Sequence, residues 1–275
     1  MDTVQLSTLN SQLSTLLSQL SSLNSQLSTQ WAAQFALILI RMSGLFLLSP
    51  IWGRANVPTM LKISFSAVLS IILINFYPPG ATLYGSLAGY ALLCVGELLA
   101  GMAMGFVTTL FFSIVFTAGQ VVDMQTGFGM VQVYDVQQNI QIPITGNLFN
   151  LVLMLCFVLS GGLVRLAETL FYTFEQMPPG QATLNQSLPL VMLEGFLRTF
   201  VLAIQVAMPV IASGLLAEIS LGIIVRTAPQ MNVFVIGIPI KIIIGLFMLS
   251  LIIPMFTVLT GPIFDEMFAF IRMAF

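Results

Sequence analysis

The order of apolar and polar positions divides the chain into a heptad tract, six apolar regions and one long polar interruption. Residues 6–29 read LSTLNSQ, LSTLLSQ, LSSLNSQ, LST, with leucine at 6, 9, 13, 16, 20, 23 and 27. This 3,4 spacing lines one face of a helix. Ser and Thr make the tract a mediocre isolated helix, and its flanking positions carry no charge to choose a coiled-coil partner or direction. It is expected to be an amphipathic element that orders against a membrane or a protein neighbour, in preference to a true coiled coil. Apolar regions follow at 31–52, 61–77, 84–118, 148–173, 189–225 and 233–263. Most reach the roughly 20 residues that a spanning helix needs. The third and fifth, about 35 residues each, would run about 50 Å as straight helices against a hydrocarbon core about 30 Å thick. They must break, tilt steeply or continue beyond the bilayer. The pattern predicts an all-α integral membrane protein with about six long, partly broken apolar helical regions.

The interruption runs from Gly119 to Pro143, GQVVDMQTGFGMVQVYDVQQNIQIP. It sets amides, two aspartates and paired glycines between two strongly apolar segments. Unpaired backbone groups cannot face hydrocarbon, so non-helical chain at membrane depth survives only inside protein or beside a wet cavity. Gly127 and Gly129 add conformational freedom, and Met124, Phe128, Met130 and Tyr134 supply bulky or adaptable filling groups. That composition suits a stopper inside a channel. An ordinary solvated loop between membrane helices is the plainer alternative.

Composition narrows the class. With 58% hydrophobic and 7% charged residues and a mean hydropathy of +1.03 over 275 residues, the chain lies far outside soluble globular usage. A net charge of −2 with 8 Lys and Arg offers no polybasic patch, so nucleic acid is not an expected partner. His is absent, which removes the usual general base and the commonest metal ligand. No Walker, HExxH, CxxC or GxSxG pattern occurs, so neither enzyme chemistry nor a cofactor or metal is expected. Cys94 and Cys156 each sit singly in apolar runs and read as small hydrophobes.

The few charges inside apolar runs carry more weight. Arg41 interrupts the first region, Glu97 the third, and Glu194, Arg198 and Glu218 the fifth. An ionised group against lipid costs at least a few kcal/mol, so these side chains should face protein, water or one another. Glu194 and Arg198 are four apart and Arg165 and Glu168 three apart, so each pair is expected to meet on one helix face as a structural charge pair. Gly101 and Gly105 in GMAMG permit close helix approach. Arg54 and Lys62 flank the first short turn and Arg226 begins the last. The positive-inside rule then makes both turns cytoplasmic, with 119–147 on the same side. A small-molecule or ion secondary transporter would also use broken helices and midplane charges, although the two halves show no evident inverted repeat.

Three stretches carry a family resemblance: RMSGLFLLSPIWGRANVPTMLKI at 41–63, AGQVVDMQTGFGM at 118–130, and AMPV at 207–210 followed by RTAPQMNVFVIGIPIKI at 226–242. In this order they resemble the FliR family, the export-gate subunit of the flagellar type III secretion apparatus, with counterparts in virulence injectisomes. The likeness covers about residues 31–270. It implies one FliR-like chain completing a helical ring of FliP-like and FliQ-like subunits, with an FlhB-like subunit at the cytoplasmic entrance. The setting would be the flagellar basal body in the bacterial inner membrane. Residues 31–185 would correspond to a FliP-like part and 186–275 to a FliQ-like hairpin. The heptad extension at 1–30 precedes the resemblance and inherits no role from it.

In such a family the segment between the third and fourth apolar regions plugs the pore, which falls here on 126–142. Gly127, Phe128, Gly129, Met130, Val133, Tyr134 and Asp135 are its candidate residues. Asp135-Val136 stands where family members often carry Asp-Pro, which removes a rigid φ. The tip at 226–232 would lie near the cytoplasmic mouth, with Arg226, Pro229, Gln230 and Asn232 as candidate contacts to the FlhB-like partner. Gly237, Pro239 and Lys241 read as a kink with a nearby charge and a further assembly contact. The function so implied is a non-enzymatic conduit for unfolded export substrates. A virulence injectisome subunit, a secondary transporter and a structural ring member whose loop never seals are the alternatives.

Overall fold

Runs of apolar residues leave their backbone amides no partner but each other, and the helix is the local answer. The computed structural model describes residues 3–53, 57–79, 86–129, 143–182, 188–228, 230 and 233–275. Among these the regular elements are all helices: α1 Thr3–Leu48, α2 Thr59–Ile74, α3 Leu87–Thr126, α4 Ile144–Leu159, α5 Gly162–Gln176, α6 Leu188–Thr227 and α7 Val233–Ala274. Four are long and apolar enough to cross a membrane, or five spans if the bent pair α4 and α5 counts as one.

Of the three ways open to the overlong regions, a break is not the one taken. The two overlong regions are unbroken helices of 40 residues each, α3 and α6, which leaves steep tilt or continuation past the hydrocarbon core. The fourth region breaks instead. At Ser160–Gly162 the chain turns through Gly161, whose φ of +73° favours glycine, and α4 and α5 meet at a 69° bend. α3 also runs through Thr126, so residues 119–126, expected to be non-helical, form its last two turns. Internal prolines do not end the helices: α6 continues through Pro209 and α7 through Pro239, Pro254 and Pro262.

The described chain clusters into two units. The first joins Met1–Leu48, Trp52–Ala103 and Met177–Leu184. Its core is a charge pair: Arg41 and Glu97 meet with both side chains fully buried. The backbone of 177–180 adds two bonds to the pair: Arg41 Nη2 donates to the Met177 carbonyl at 2.9 Å and Gly180 N–H donates to Glu97 Oε1 at 2.8 Å. Small residues bring the backbones this close. A Cβ on Gly44 would sit 2.7 Å from the Leu98 carbonyl oxygen, one on Gly96 2.8 Å from that of Ala182, and one on Gly101 would overlap the Arg41 carbonyl. The heptad stripe runs straight into this core. Its register passes from exposed Leu16, Leu20 and Leu27 to buried Gln34, Leu37 and Arg41 without a break in α1.

The second unit joins Ser49–Ile51, Met104–Gln176 and Asn185–Phe275. Phenylalanines of α3, α4 and α7 form its centre: Phe112, Phe157, Phe264 and Phe268 touch in a chain of edge and stacked contacts, and Phe149 stacks on Phe256 at 5.2 Å. α6 and α7 form an antiparallel hairpin, yet only 33% and 22% of their most apolar stretches are buried within the chain. Phe196, Phe200, Leu216, Ile219, Ile243 and Phe247 are among the large side chains left exposed. Surfaces of this kind require lipid or another protein against them.

Candidate functional site

The site is the last two turns of α3, from which the candidate plug departs. Three glycines, one on each neighbouring helix, form notches around it. Gly119 lies against Gly146 of α4, and a Cβ there would overlap the Gly146 backbone. The Gln125 side chain occupies the space a Cβ on Gly214 of α6 would need, and the Thr126 methyl does the same at Gly245 of α7. In an apolar setting, small residues at crossings allow this backbone approach, and dispersion contacts hold it. Thr126 completes its local bonding by donating its hydroxyl to the Val122 carbonyl at 2.9 Å.

Asp123 supplies the polar bond. It is 2% exposed; its Oδ1 accepts the Thr145 backbone N–H at 3.2 Å and also the Thr145 hydroxyl. α4 starts after Pro143, which offers no side-chain cap. Its first amides carry partial positive charge, and the Asp123 carboxylate of α3 meets that charge from outside. Beside Gln125 and Thr126 lies a small crevice also lined by Ser213, Gly214, Lys241 and Gly245. The buried Gln125 Nε2 has no hydrogen-bond partner there.

Past Thr126 the chain leaves the helix through Gly127, whose φ is +89° and whose missing Cβ would meet nothing within 4 Å. Its conformation, not crowding, favours glycine. Gly129 differs: its would-be Cβ sits in ordinary contact, 3.7 Å from the Asp123 carbonyl oxygen. Phe128 between them is partly exposed. The candidates Met130, Val133, Tyr134 and Asp135 lie outside the described residues.

The other candidate residues are spread along the hairpin. Arg226 lies in the last turn of α6 and is exposed, as is Gln230; Pro229 and Asn232 lie outside the described residues. Pro239 is exposed within α7, and Lys241, expected as an assembly contact, donates to Glu218 of α6 at 2.7 Å. The two in-helix charge pairs are replaced. Arg165 pairs with Asp265 at 2.7 Å and lies 4.7 Å from the centre of the Phe268 ring, while Arg198 pairs with Glu266. Glu168 and Glu194 are exposed. Carboxylates of α7 face both arginines, so cross-helix partners win over an i,i+3 or i,i+4 bond worth a few tenths of a kcal/mol.

Asp123, Thr145, Gly146, Gly214 and Gly245 escaped the reading by composition. A local signal existed for part of this set. Gly119 and Asp123 are one helical turn apart, as Gly101 and Gly105 are, but they open the stretch whose composition predicts non-helical chain. Chemically the arrangement can seat and orient chain. Among the described residues no group of three or more acidic or cysteine side chains gathers to hold a metal ion.

Comparison with known proteins places the chain among related sequences. The family model described as bacterial export proteins, family 1, matches residues 32–267. The flagellar biosynthetic protein FliR of Bacillus subtilis strain 168 is 32% identical over 237 residues, which cover 84% of this chain and 90% of that protein. FliR of Aquifex aeolicus is 27% identical over 219 residues, 80% of this chain and 84% of the relative. The secretion system apparatus protein SsaT of Salmonella typhimurium is 27% identical over 229 residues, 82% and 88% of the two. All of residues 1–31 precede the family match.

Proposed function

The chain belongs to the bacterial export proteins, family 1, in its FliR branch, and on that premise we propose that it is a non-enzymatic subunit of the flagellar type III export gate. In this reading it helps form the channel for unfolded export substrates and closes it at rest with residues 126–142. Its partners are FliP-like, FliQ-like and FlhB-like subunits in the bacterial inner membrane, with 31–185 the FliP-like part and 186–275 the FliQ-like part.

The observation that carries the reading is the seating of the root of that segment. Asp123, Gln125 and Thr126 are lodged against α4, α6 and α7 immediately before the chain departs at Gly127. A solvated surface loop has no need of three glycine notches at its base. The uncovered apolar faces of α6 and α7 support the assembly half of the proposal, because a subunit of a ring presents such faces to its neighbours. Arg226 and Gln230, both exposed, are with Pro229 and Asn232 the proposed FlhB-like contact, and Pro239 and Lys241 are a proposed further assembly contact.

Deleting 126–142 and measuring ion conductance of the membrane-inserted assembly tests the sealing role. Raised conductance with retained assembly is expected, and unchanged conductance rejects it. A second reading, an injectisome gate subunit, draws on the likeness to SsaT. Restoration of flagellar export in a strain lacking its own FliR, with no restoration of virulence secretion, decides between the two.

A further inference from the structure

Among the buried carboxylates, Glu97 is neutralised by an arginine, while Asp123 is answered by a helix terminus and a hydroxyl. Burying a carboxylate is unfavourable unless its oxygens are bonded, so the position asks for a specific role. Thr145 is the second residue of α4, where an amide still lacks an intrahelical partner. Both Asp123 oxygens lie within reach of that amide, at 3.2 and 3.4 Å. A charged acceptor at a helix N-terminus gives bonds stronger than neutral ones.

The contact does not act alone. Gly119, one turn before Asp123, and Gly146, next to Thr145, bring the two backbones together. One turn after Asp123 the chain bends at Gly127, and Gly129 comes to lie over the Asp123 carbonyl oxygen. A shift of the α4 start along α3 would therefore change where Phe128 stands relative to α4. The glycine contact is non-directional and resists only closer approach. The Asp123 bonds are directional and hold the register.

We propose that Asp123 is a positioning residue for the channel seal: by capping α4 from the last turn of α3, it sets the register at which Gly127, Phe128 and Gly129 leave α3. The proposal rests on the sealing role assigned above. It makes the Asp123–Thr145 contact a control point of the resting state, distinct from any residue that touches cargo.

The test uses the full assembly in membranes, with subunit content measured for each variant. Asp123→Ala removes the cap, and Thr145→Val removes the hydroxyl while keeping the shape and the amide. Asp123→Ala is expected to raise the resting ion leak by about tenfold, as for loss of a charge-assisted bond, with Thr145→Val smaller in the same direction. A third variant, Asp123→Cys with Thr145→Cys, is expected to leak when reduced and to reseal on oxidation. Reversible resealing is a response that loss of folding cannot produce. Should Asp123→Ala fail to assemble, Thr145→Val and the cysteine pair decide. If the 126–142 deletion leaks but none of these variants does, the positioning role is overturned and the sealing role stands. If the deletion itself does not leak, the sealing role fails first.

Discussion

Gly119 of α3 and Gly146 of α4 approach so closely that a single methyl group on the first would occupy the backbone of the second. The helix pair that brackets the candidate plug is thus closed by the absence of side chains. Gly119→Ala must push α4 away or bend α3, with an expected loss of about 1–3 kcal/mol from overpacking. Gly222 lies in α6 with nothing within 4 Å of its missing Cβ, so Gly222→Ala is the control and is expected to be neutral or slightly stabilising. Thermal unfolding of the two purified variants in detergent compares them directly.

The buried pair in the first unit makes a different prediction. Removing either Arg41 or Glu97 alone leaves an unpaired buried charge, for which the expected cost is about 3–5 kcal/mol. Arg41→Met with Glu97→Leu removes both charges and is expected to recover much of that loss. A double-mutant cycle on folded yield and unfolding midpoint reads out the difference; equal damage from the double and single variants would argue against a coupled pair.

Gly127 and Gly129 look equivalent in sequence but not in conformation. Gly127→Ala forces a side chain into the left-handed region, at a cost of about 1–2 kcal/mol, and is expected to weaken the proposed seal. Gly129→Ala meets only ordinary contact distances and is expected to leave conductance near its resting value. The same leak from both would show that the conformation at Gly127 is not the determinant.

The leucine stripe of α1 carries an internal comparison. Leu37 is fully buried and Leu20 is 62% exposed, on one continuous helix face. Leu37→Ser is expected to lower stability by at least about 2 kcal/mol, as for a large core truncation. Leu20→Ser should stay within about 0.5 kcal/mol in the isolated chain. A stability loss for Leu20→Ser that appears only in the assembly would locate a partner on that face.

The class and the helices were legible because they follow from local properties. A run of apolar residues long enough to span a bilayer must pair its own amides, whatever surrounds it, and the leucine spacing at 6–27 marks a helix face by itself. Family membership was legible in the polar, proline-punctuated order of 226–242. Gly119 to Thr126 is helical although its amides and aspartate suggest irregular chain by composition, because Gly119 and Asp123 sit one turn apart and face α4.

What the sequence alone determined is the kind of solvent this chain needs, the number of its apolar segments and the family to which it belongs. Tertiary structure alone decided which carboxylate meets which arginine, why Gly161 breaks the fourth apolar region while Pro209 leaves α6 unbroken, and why Gly214 and Gly245 have no room for a side chain. The physical reason is range. Hydrophobic periodicity acts within a few turns of one helix, whereas Arg165 with Asp265 and Asp123 with Thr145 become neighbours only after separate helices have packed.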